Sequence, residues 1–336
     1  MDRITGIIAA FLIALAFSAC DGVNKNIDKE LLPQSSGKYG EVLVVIDTAY
    51  ENGKSGKQVR QIFNKMMVGL PQAETMFRMS TVAPASFKSI LKRSRNILKL
   101  HIGNNRKTNI NIEEDVWAKN QLMIQITAAS DTDAARILRK NQQTIRDYFN
   151  EKELDRLKNQ YAKNPQEKLI EDIKDKYDIS LLIPPGFILM ENNEKGFWIR
   201  KEKKVGKHQV TQGLMVYRTP YVSDSLFLLK QMIASRNKFT KPNIEGARDS
   251  SYMKVYEEYP TDTSEINLNQ NYVKVYRGLW NMENDFMGGP FLHYTLVDTT
   301  NSELVHLDGF VFAPKFGKRE YLRELQAIMR TAKLNN

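Results

Sequence analysis

The clearest hydrophobic pattern in this chain lies near its carboxyl end. Residues 291–297 and 304–312 are rich in aromatic and β-branched side chains, and the turn-forming residues 298–302 separate them. Two such runs joined by a short polar turn predict a β-hairpin. An apolar stripe at helical spacing follows from Tyr321 to Met329, and it predicts a helix that covers the hairpin.

The register of this hairpin decides which side chains share a face. We pair Val297 with Ser302, which gathers one apolar set on a single face that we expect to be the core. That set is Leu292, Tyr294, Leu296, Val305 and Leu307. The opposite face then carries Phe291, His293, Thr295, Leu304, His306 and Asp308, with the two histidines directly opposite each other.

The amino-terminal half alternates between apolar runs of strand length and amphipathic runs of helix length. Its predicted strands are 41–47, 76–82, 96–102 and 121–128, and its predicted helices are 56–68, 84–93 and a long one from Asp131. This order predicts helices packed over one sheet. Residues 154–176 continue as a charged helix that is interrupted at Pro165, and residues 161–177 form the predicted domain boundary.

The carboxyl-terminal half begins with a strand that the Pro184-Pro185-Gly186 turn ends. Predicted strands follow at 197–201, 214–218, 251–257 and 272–280, with a helix at 224–237. The predicted fold class is therefore α+β, with two α/β sandwich domains at 41–160 and 177–333. We expect mostly antiparallel sheets that are covered by helices.

Six segments of the chain carry a family resemblance: LPQSSGKYGEVLVVID, SRNIL, DVWAKNQ, RGLW, MGGPF and GFVFAPKFGKREYLRELQAIM. They resemble uncharacterised lipoproteins of Bacteroidetes, a family catalogued as a domain of unknown function. The carboxyl-terminal half also resembles folds of the PsbP and Mog1 type, with a proline-glycine-aromatic start and a closing helix after a GFVF strand. The resemblance implies a location and a fold, and it implies no activity.

The amino terminus predicts export and lipidation. Residues 4–19 are almost all apolar, which is short of the roughly 20 residues that a spanning helix needs. Small residues precede Cys20, the sole cysteine. We therefore predict a signal peptide at 1–19, a lipid on Cys20 and a polar tether at 20–40. The alternative is a retained membrane anchor in which Cys20 is only a small apolar residue.

Composition and charge then narrow the partners. A hydrophobic fraction of 42% and a charged fraction of 26% are typical of a folded globular protein. The net charge of +10 would suit nucleic acid, but a lipoprotein outside the cytoplasm meets anionic envelope components first. We expect the membrane, another envelope protein or an anionic envelope polymer as partners, and neither nucleic acid nor nucleotide. The alternative is that the excess charge serves solubility alone.

His293, His306 and Asp308 are the strongest candidates for chemistry, because two imidazoles and a carboxylate on one face suit acid-base work or a transition metal. The alternative is a pair of half-exposed histidines, or histidines beneath a helix with their nitrogens satisfied. Since no third histidine or cysteine ligand is visible, we predict no metal and no cofactor.

A basic cluster at the start of the last helix is the candidate anion site. It comprises Lys315, Lys318, Arg319 and Arg323. Positive charge there opposes the helix dipole, and Arg319 and Arg323 repel each other at i,i+4. An anionic ligand would relieve both costs. The alternative partners are the carboxylates of Asp308, Glu320 or Glu324 in the same chain.

The segment 52–57, NGKSGK, lies between a predicted strand and a predicted helix, where a phosphate-binding loop would be. The glycine that such a loop requires is replaced by Thr48. We therefore predict a flexible surface loop and no nucleotide binding.

No complete catalytic motif is present, neither a nucleophile elbow nor a zinc-binding helix. The favoured function is a non-enzymatic binding or scaffolding protein, lipid-anchored in the cell envelope. We expect it in the outer membrane, facing the periplasm or the cell exterior. The alternative is an envelope hydrolase of a glycan or peptidoglycan-like polymer, for which Glu283 and Asp285 are a carboxylate pair to consider.

Overall fold

The structure, a computed structural model, describes residues 29–104 and 106–334. The predicted signal peptide, Cys20 and the first part of the tether lie outside the described residues. In the described part of the chain, no helix is long and apolar enough to cross a membrane.

The amino-terminal half forms a five-stranded sheet with the order β2-β1-β3-β5-β4. Its strands are β1 (Glu41–Val45), β2 (Arg78–Val82), β3 (Asn96–Ile102), β4 (Asn109–Glu114) and β5 (Leu122–Ala128). The pairs β1/β2, β1/β3 and β3/β5 are parallel, and β4 pairs antiparallel with β5. The central strands β1, β3 and β5 are buried along most of their length and form nearly continuous apolar runs in the sequence, whereas β2 at the edge is mostly exposed.

Helices cover one face of this sheet. They are α1 (Thr48–Glu51), α2 (Lys54–Phe63), α3 (Asp131–Lys140) and α4 (Gln142–Tyr161). The rings of Phe63, Phe77 and Phe149 meet beneath the helices with centroids 5.9 to 6.2 Å apart. Aromatic contacts of this geometry add to the free energy that burial of the rings supplies.

Three local predictions for this half were wrong. The predicted helix at 84–93 is two short 3₁₀ turns, and Ser89, the first residue of the second turn, has φ 45°, which an α-helix does not allow. The predicted helix at 56–68 ends at Phe63. The predicted flexible loop at 52–57 is largely the first turn of α2, because the Asp131 carboxylate accepts the backbone N–H groups of Lys54 and Ser55 at 2.8 and 2.9 Å.

The carboxyl-terminal half contains an eight-stranded antiparallel sheet with the order β10-β12-β13-β14-β9-β8-β7, and β11 pairs with β12. Two further strands, β6 (Ile179–Ser180) and β15 (Lys333–Leu334), pair with each other. The strands of the large sheet are β7 (Phe187–Asn193), β8 (Gly196–Val205), β9 (His208–Pro220), β10 (Tyr252–Val255), β11 (Asp262–Leu268), β12 (Asn271–Glu283), β13 (Gly288–Asp298) and β14 (Glu303–Phe312). With this sheet included, antiparallel pairs predominate, and the α+β class with two sandwiches is confirmed.

Helices lie on both faces of this sheet. On one face, α5 (Glu167–Tyr177) and α7 (Arg319–Met329) pack against Leu292, Tyr294 and Leu307. On the other face, α6 (Leu229–Asn243) packs against Phe291 and Phe310. The face that carries the two histidines is therefore a second core and not a surface.

The predicted hairpin is present, but its predicted register was wrong by two residues. Val297 pairs with Leu304, whereas the prediction paired it with Ser302. A shift of two positions keeps every side chain on its face, so the predicted face sets are unchanged. It does change the partners: His293 lies opposite Asp308, and His306 lies opposite Thr295.

Candidate functional site

The three residues predicted as chemical candidates form one hydrogen-bonded group on the α6 side of the sheet. His293 Nδ1 lies 2.9 Å from Asp308 Oδ2, and His293 Nε2 lies 3.2 Å from His306 Nδ1. The histidines meet diagonally across the β13–β14 ladder, because each has a polar residue directly opposite it. Strand alternation therefore brings together on one face three residues that span fifteen positions of the chain.

Thr295 and two residues that sequence analysis missed, Arg236 and Thr219, join this group. We call it the imidazole network (Thr219, Arg236, His293, Thr295, His306 and Asp308). Arg236 donates to both Asp308 oxygens, from Nε at 2.8 Å and from Nη2 at 3.1 Å. At the other end, Thr219 Oγ1 lies 2.9 Å from His306 Nε2. One signal for Arg236 was available in the sequence, since it lies one turn from the buried Met232 on the apolar stripe of α6.

Burial sets the charges of this network. It would raise the pKa of the Asp308 carboxyl, but the Arg236 guanidinium and the His293 imidazole outweigh it and hold that pKa below its usual value. Burial lowers the pKa of His293 despite its hydrogen bond to Asp308. Burial, with His293 as a neighbour, lowers the pKa of His306 well below its usual value. At neutral pH the network therefore has a charged ion pair at one end and two neutral imidazoles.

Aromatic rings enclose the network. The Tyr217 ring stacks on His306 at a centroid distance of 4.5 Å and on Phe239 of α6 at 4.6 Å. Tyr276 packs edge-on against His293 at 5.7 Å. Tyr217 is fully buried, and burial raises the pKa of its hydroxyl. Ring stacking on both sides of Tyr217 holds His306 in one orientation.

A cleft of about 740 Å³ opens beside this network, between the end of β9, the β7–β8 turn and α6. We call it the β9–α6 cleft. Its lining includes Lys195, Tyr217, Thr219, Lys238, Phe239 and Glu303. Through Tyr217 and Thr219 the cleft touches both the aromatic stack and the imidazole network. Its wall therefore combines charged rim groups with an aromatic floor, a composition typical of small-molecule sites.

Arg218, which also borders the cleft, is committed to carboxylates of the β13–β14 turn. Its Nη1 lies 2.6 Å from Asp298 Oδ2 and 3.1 Å from Glu303 Oε2, and its Nη2 donates to the Tyr177 carbonyl. In contrast, Lys195 and Lys238 are exposed and have no side-chain partner within the described residues. The two lysines and the Glu194 carboxylate, which also lines the cleft and is exposed, are therefore its available charges.

The histidine nitrogens of the imidazole network are occupied by other members of the network, whereas Arg236 Nη1 is buried without a hydrogen-bond partner among the described residues. No group of three or more His, Cys, Asp or Glu side chains that suits a metal ion occurs among residues 29–104 and 106–334. Every ring nitrogen of the two histidines lies within 3.2 Å of a polar atom in the same network. The two histidines are thus buried beneath a helix, and their ring nitrogens are hydrogen-bonded. This arrangement is one of the two alternatives to a chemical role that the sequence left open.

The predicted anion cluster lies at the contact between the two halves. The Lys318 ammonium donates to Gln72 at 3.1 Å, and Arg319 donates to the Thr75 carbonyl at 2.6 Å. Arg323 forms an ion pair with Glu320 and donates to the Met76 carbonyl at 3.0 Å. The fourth member, Lys315, is exposed. Protein groups therefore occupy the donors of three of the four cations.

Glu283 and Asp285 have separate partners. Glu283 forms an ion pair with Lys254 on the neighbouring strand β10. Asp285 accepts the backbone N–H groups of Phe286 at 2.7 Å and Ala247 at 3.3 Å. Glu283 therefore pairs across the β10–β12 strands, and Asp285 holds the backbone of the turn that precedes β13.

Each half of the chain matches a known protein family. Residues 166–331 match a family described as Domain of unknown function (DUF4837), and residues 35–162 match one described as Domain of unknown function (DUF8532). The resemblance to a domain of unknown function is thus confirmed, while the lipoprotein origin stays a prediction. No curated protein matches the chain.

Solved structures with a similar fold include two of Mog1. A Mog1 variant is 14% identical to this chain, with a TM-score of 0.32. The match covers 47% of this chain and 92% of the Mog1 chain. The Saccharomyces cerevisiae Ran-binding protein Mog1p is 13% identical with a TM-score of 0.31, and covers 47% and 91%. A Bacteroides thetaiotaomicron protein is 10% identical with a TM-score of 0.20, and covers 48% and 46%.

Proposed function

We propose that this chain is a lipid-anchored cell-envelope protein that binds a small organic anion in the β9–α6 cleft and does not transform it. One observation carries this proposal. The imidazoles and the carboxylate suited to catalysis are bonded to each other beneath the cleft, whereas Lys195 and Lys238 stand unpaired at its rim. The cleft therefore has charge available for binding, and its acid-base groups are held in a fixed structural network.

The lining of the cleft defines the ligand class. Two ammonium groups attract a carboxylate, sulfonate or phosphate, and the exposed rings of Pro220 and Pro242 offer an apolar surface for the rest of the molecule. The buried ion pair of Arg236 and Asp308 fixes the floor, since both side chains are fully buried. A preorganised floor lowers the entropic cost of binding.

The binding proposal is tested with an aromatic sulfonate as probe. Isothermal titration of naphthalene-2-sulfonate into the full chain in detergent is expected to give saturable binding. Lys195→Gln/Lys238→Gln should weaken that binding at least about tenfold, because each charge-assisted contact is worth more than 1 kcal/mol. Lys204→Gln/Lys207→Gln, at exposed positions near the end of β8 and in the β8–β9 turn, is the control with the same charge change. Equal weakening by both variants would contradict the proposal.

The envelope location rests on the apolar segment before the sole cysteine. Two or more acyl chains anchor a protein stably, so the wild-type chain should sediment with outer membranes. Cys20→Ser blocks lipidation, and it should prevent processing of the signal peptide. A wild-type protein that is recovered in the soluble fraction, with an unmodified Cys20, would exclude the anchor.

The second candidate function is an envelope hydrolase, and a single contact favours it. The Thr219 hydroxyl borders the cleft and lies 2.9 Å from His306 Nε2, and His293 and Asp308 lie behind that imidazole. A hydroxyl beside a neutral imidazole is the arrangement that nucleophilic catalysis requires. Covalent labelling of Thr219 by a fluorophosphonate, lost in Thr219→Val, would make this candidate the leading one.

A further inference from the structure

A second cavity, of about 630 Å³, lies in the groove between α2 and α3 at the opposite half of the chain. Lys54 and Lys57 of α2 and Arg136 and Arg139 of α3 line it. The other lining residues are Gln58, Gln61, Thr132 and Ala135, so none of the described residues that line it is acidic. We call it the α2–α3 groove.

The positive charge of this groove is only partly balanced. Arg136 forms an ion pair with Asp133, and Lys54 Nζ donates to Thr132 Oγ1 at 3.1 Å. Lys57 and Arg139 are exposed and have no side-chain partner within the described residues. The remaining nearby carboxylate, Asp131, already accepts two backbone N–H groups and the Ser55 hydroxyl at the start of α2. The groove therefore retains uncompensated positive charge.

The position of Lys54 and Lys57 adds a second unfavourable electrostatic interaction, with the dipole of α2. Lys54 and Lys57 lie in the first turn of α2, where the helix dipole is already positive, and this turn contains no acidic residue. The Asp131 carboxylate already offsets the dipole at the first two N–H groups, so an anion between α2 and α3 would mainly offset the charges of the two lysines. The electrostatics of the groove thus favour a bound anion.

The groove also faces away from the predicted anchor. Gln34 and Ser36, near the end of the predicted tether, bridge to Lys119 and Ser94, which precede the amino ends of β5 and β3. In contrast, α2 and α3 begin beyond the carboxyl ends of β1 and β5. A parallel strand of about seven residues separates the two edges by roughly 20 Å. The predicted tether therefore joins the sheet at the edge opposite the groove.

We propose that the α2–α3 groove binds the phosphate groups of an anionic polymer that carries several phosphate esters. Several cations along two helices suit several linked anions better than one small ion, and lysine and arginine are the usual phosphate ligands. The segment 52–57 contributes its lysines from a helix and offers no loop of backbone amides for a nucleotide. This inference concerns a second site, independent of the β9–α6 cleft.

The test uses sodium tripolyphosphate as probe and the full chain in detergent. Calorimetry should show saturable binding that weakens as salt concentration rises. Lys57→Gln/Arg139→Gln should reduce the affinity at least about tenfold through loss of two charged contacts. Arg78→Gln/Lys204→Gln is the matched control, since it removes the same two residue types from exposed positions without side-chain partners in the described chain, and its affinity should stay within about twofold.

Three results would overturn the proposal. The wild-type chain shows no saturable binding of tripolyphosphate, or both variants lose affinity equally, which assigns the effect to net charge. The third such result is that the chain binds phosphatidylglycerol vesicles through Lys57 and Arg139 but does not bind tripolyphosphate. This result would mean that the groove contacts a membrane surface. Circular dichroism of both variants checks that α2 and α3 remain folded. The probe and the variants differ from those used for the β9–α6 cleft. A negative result for one binding site therefore does not contradict the proposal for the other.

Discussion

The carboxylate of Glu74 accepts a hydrogen bond from the backbone N–H of Lys318 at 2.6 Å, although the two residues are 244 positions apart. Its second oxygen accepts the Arg319 N–H at 3.3 Å. Helix α7 has no capping side chain of its own at this end. Glu74 of the amino-terminal half therefore caps the closing helix of the carboxyl-terminal half.

Removal of this cap should weaken the contact between the two halves. Glu74→Ala leaves two helix N–H groups without an acceptor, so we expect the free energy of unfolding to fall by about 1–2 kcal/mol. Urea denaturation followed by circular dichroism measures this change. Glu257→Ala, at an exposed position, is the control and should have no measurable effect. If both variants unfold at the same urea concentration, the cap contributes nothing.

The buried ion pair predicts a large and asymmetric effect on stability. Arg236→Leu leaves the Asp308 carboxylate buried without its guanidinium, and we expect a loss of about 3–5 kcal/mol. Arg236→Leu/Asp308→Leu removes both charges and should recover much of that loss. Chemical denaturation of both variants measures the difference. A double variant less stable than the single one would mean that the pair itself stabilises the core.

The two buried histidines predict a pH dependence with a defined sign. In the unfolded chain each imidazole binds a proton as the pH falls below 6.5, whereas burial lowers the folded pKa of both. The unfolded state then binds more protons, so stability is fully present above pH 6.5 and falls toward acid pH. Each histidine contributes about 1.4 kcal/mol per pH unit until its folded pKa is reached.

The measurement compares the wild-type chain with His306→Asn at pH 7.5 and pH 5.5. Asparagine does not titrate, so the variant should lose less stability between these two values than the wild-type chain does. Asp308 does not interfere, because its folded pKa lies below 3.8 and its contribution disappears only at lower pH. Identical losses in the two proteins would show that folding does not lower the pKa of His306.

The hairpin shows what the sequence could predict and where it stopped. Alternation along residues 291–297 and 304–312 was sufficient to assign each side chain to a face. It was not sufficient for the register, because the turn is closed by the Asp298 carboxylate, which accepts the Thr300 and Asn301 N–H groups at 3.1 and 3.2 Å. Side-chain capping of a turn does not appear in a hydrophobic pattern.

Contacts between residues that are far apart in the sequence explain the other features that the sequence did not predict. Arg236 and Asp308 are 72 positions apart, and Glu74 is still further from the helix that it caps. A single sequence contains the charges but not their pairing, so an arginine on α6 and a basic cluster at α7 both remained without partners. The same limit applies to the cleft, which residues from β9, α6 and the β7–β8 turn form only after folding.

Gly56 gives a final prediction. It tests whether this glycine of the segment 52–57 is needed for close packing of α2 against α1, and not for a phosphate-binding loop. A Cβ atom at this position of α2 would lie 1.8 Å from the Glu51 carbonyl oxygen and 2.8 Å from the Tyr50 carbonyl oxygen. Both neighbours are backbone atoms of the preceding helix α1, so they cannot move without displacing it.

Gly56→Ala should therefore destabilise the chain by more than about 1 kcal/mol, although alanine normally favours a helix over glycine by about that amount. Gln61→Ala, at an exposed position of the same helix, is the control and should be neutral or slightly stabilising. Thermal unfolding of the two variants decides the matter. A Gly56→Ala chain more stable than the wild type would mean that α1 and α2 are not packed this closely, and that the glycine serves another purpose.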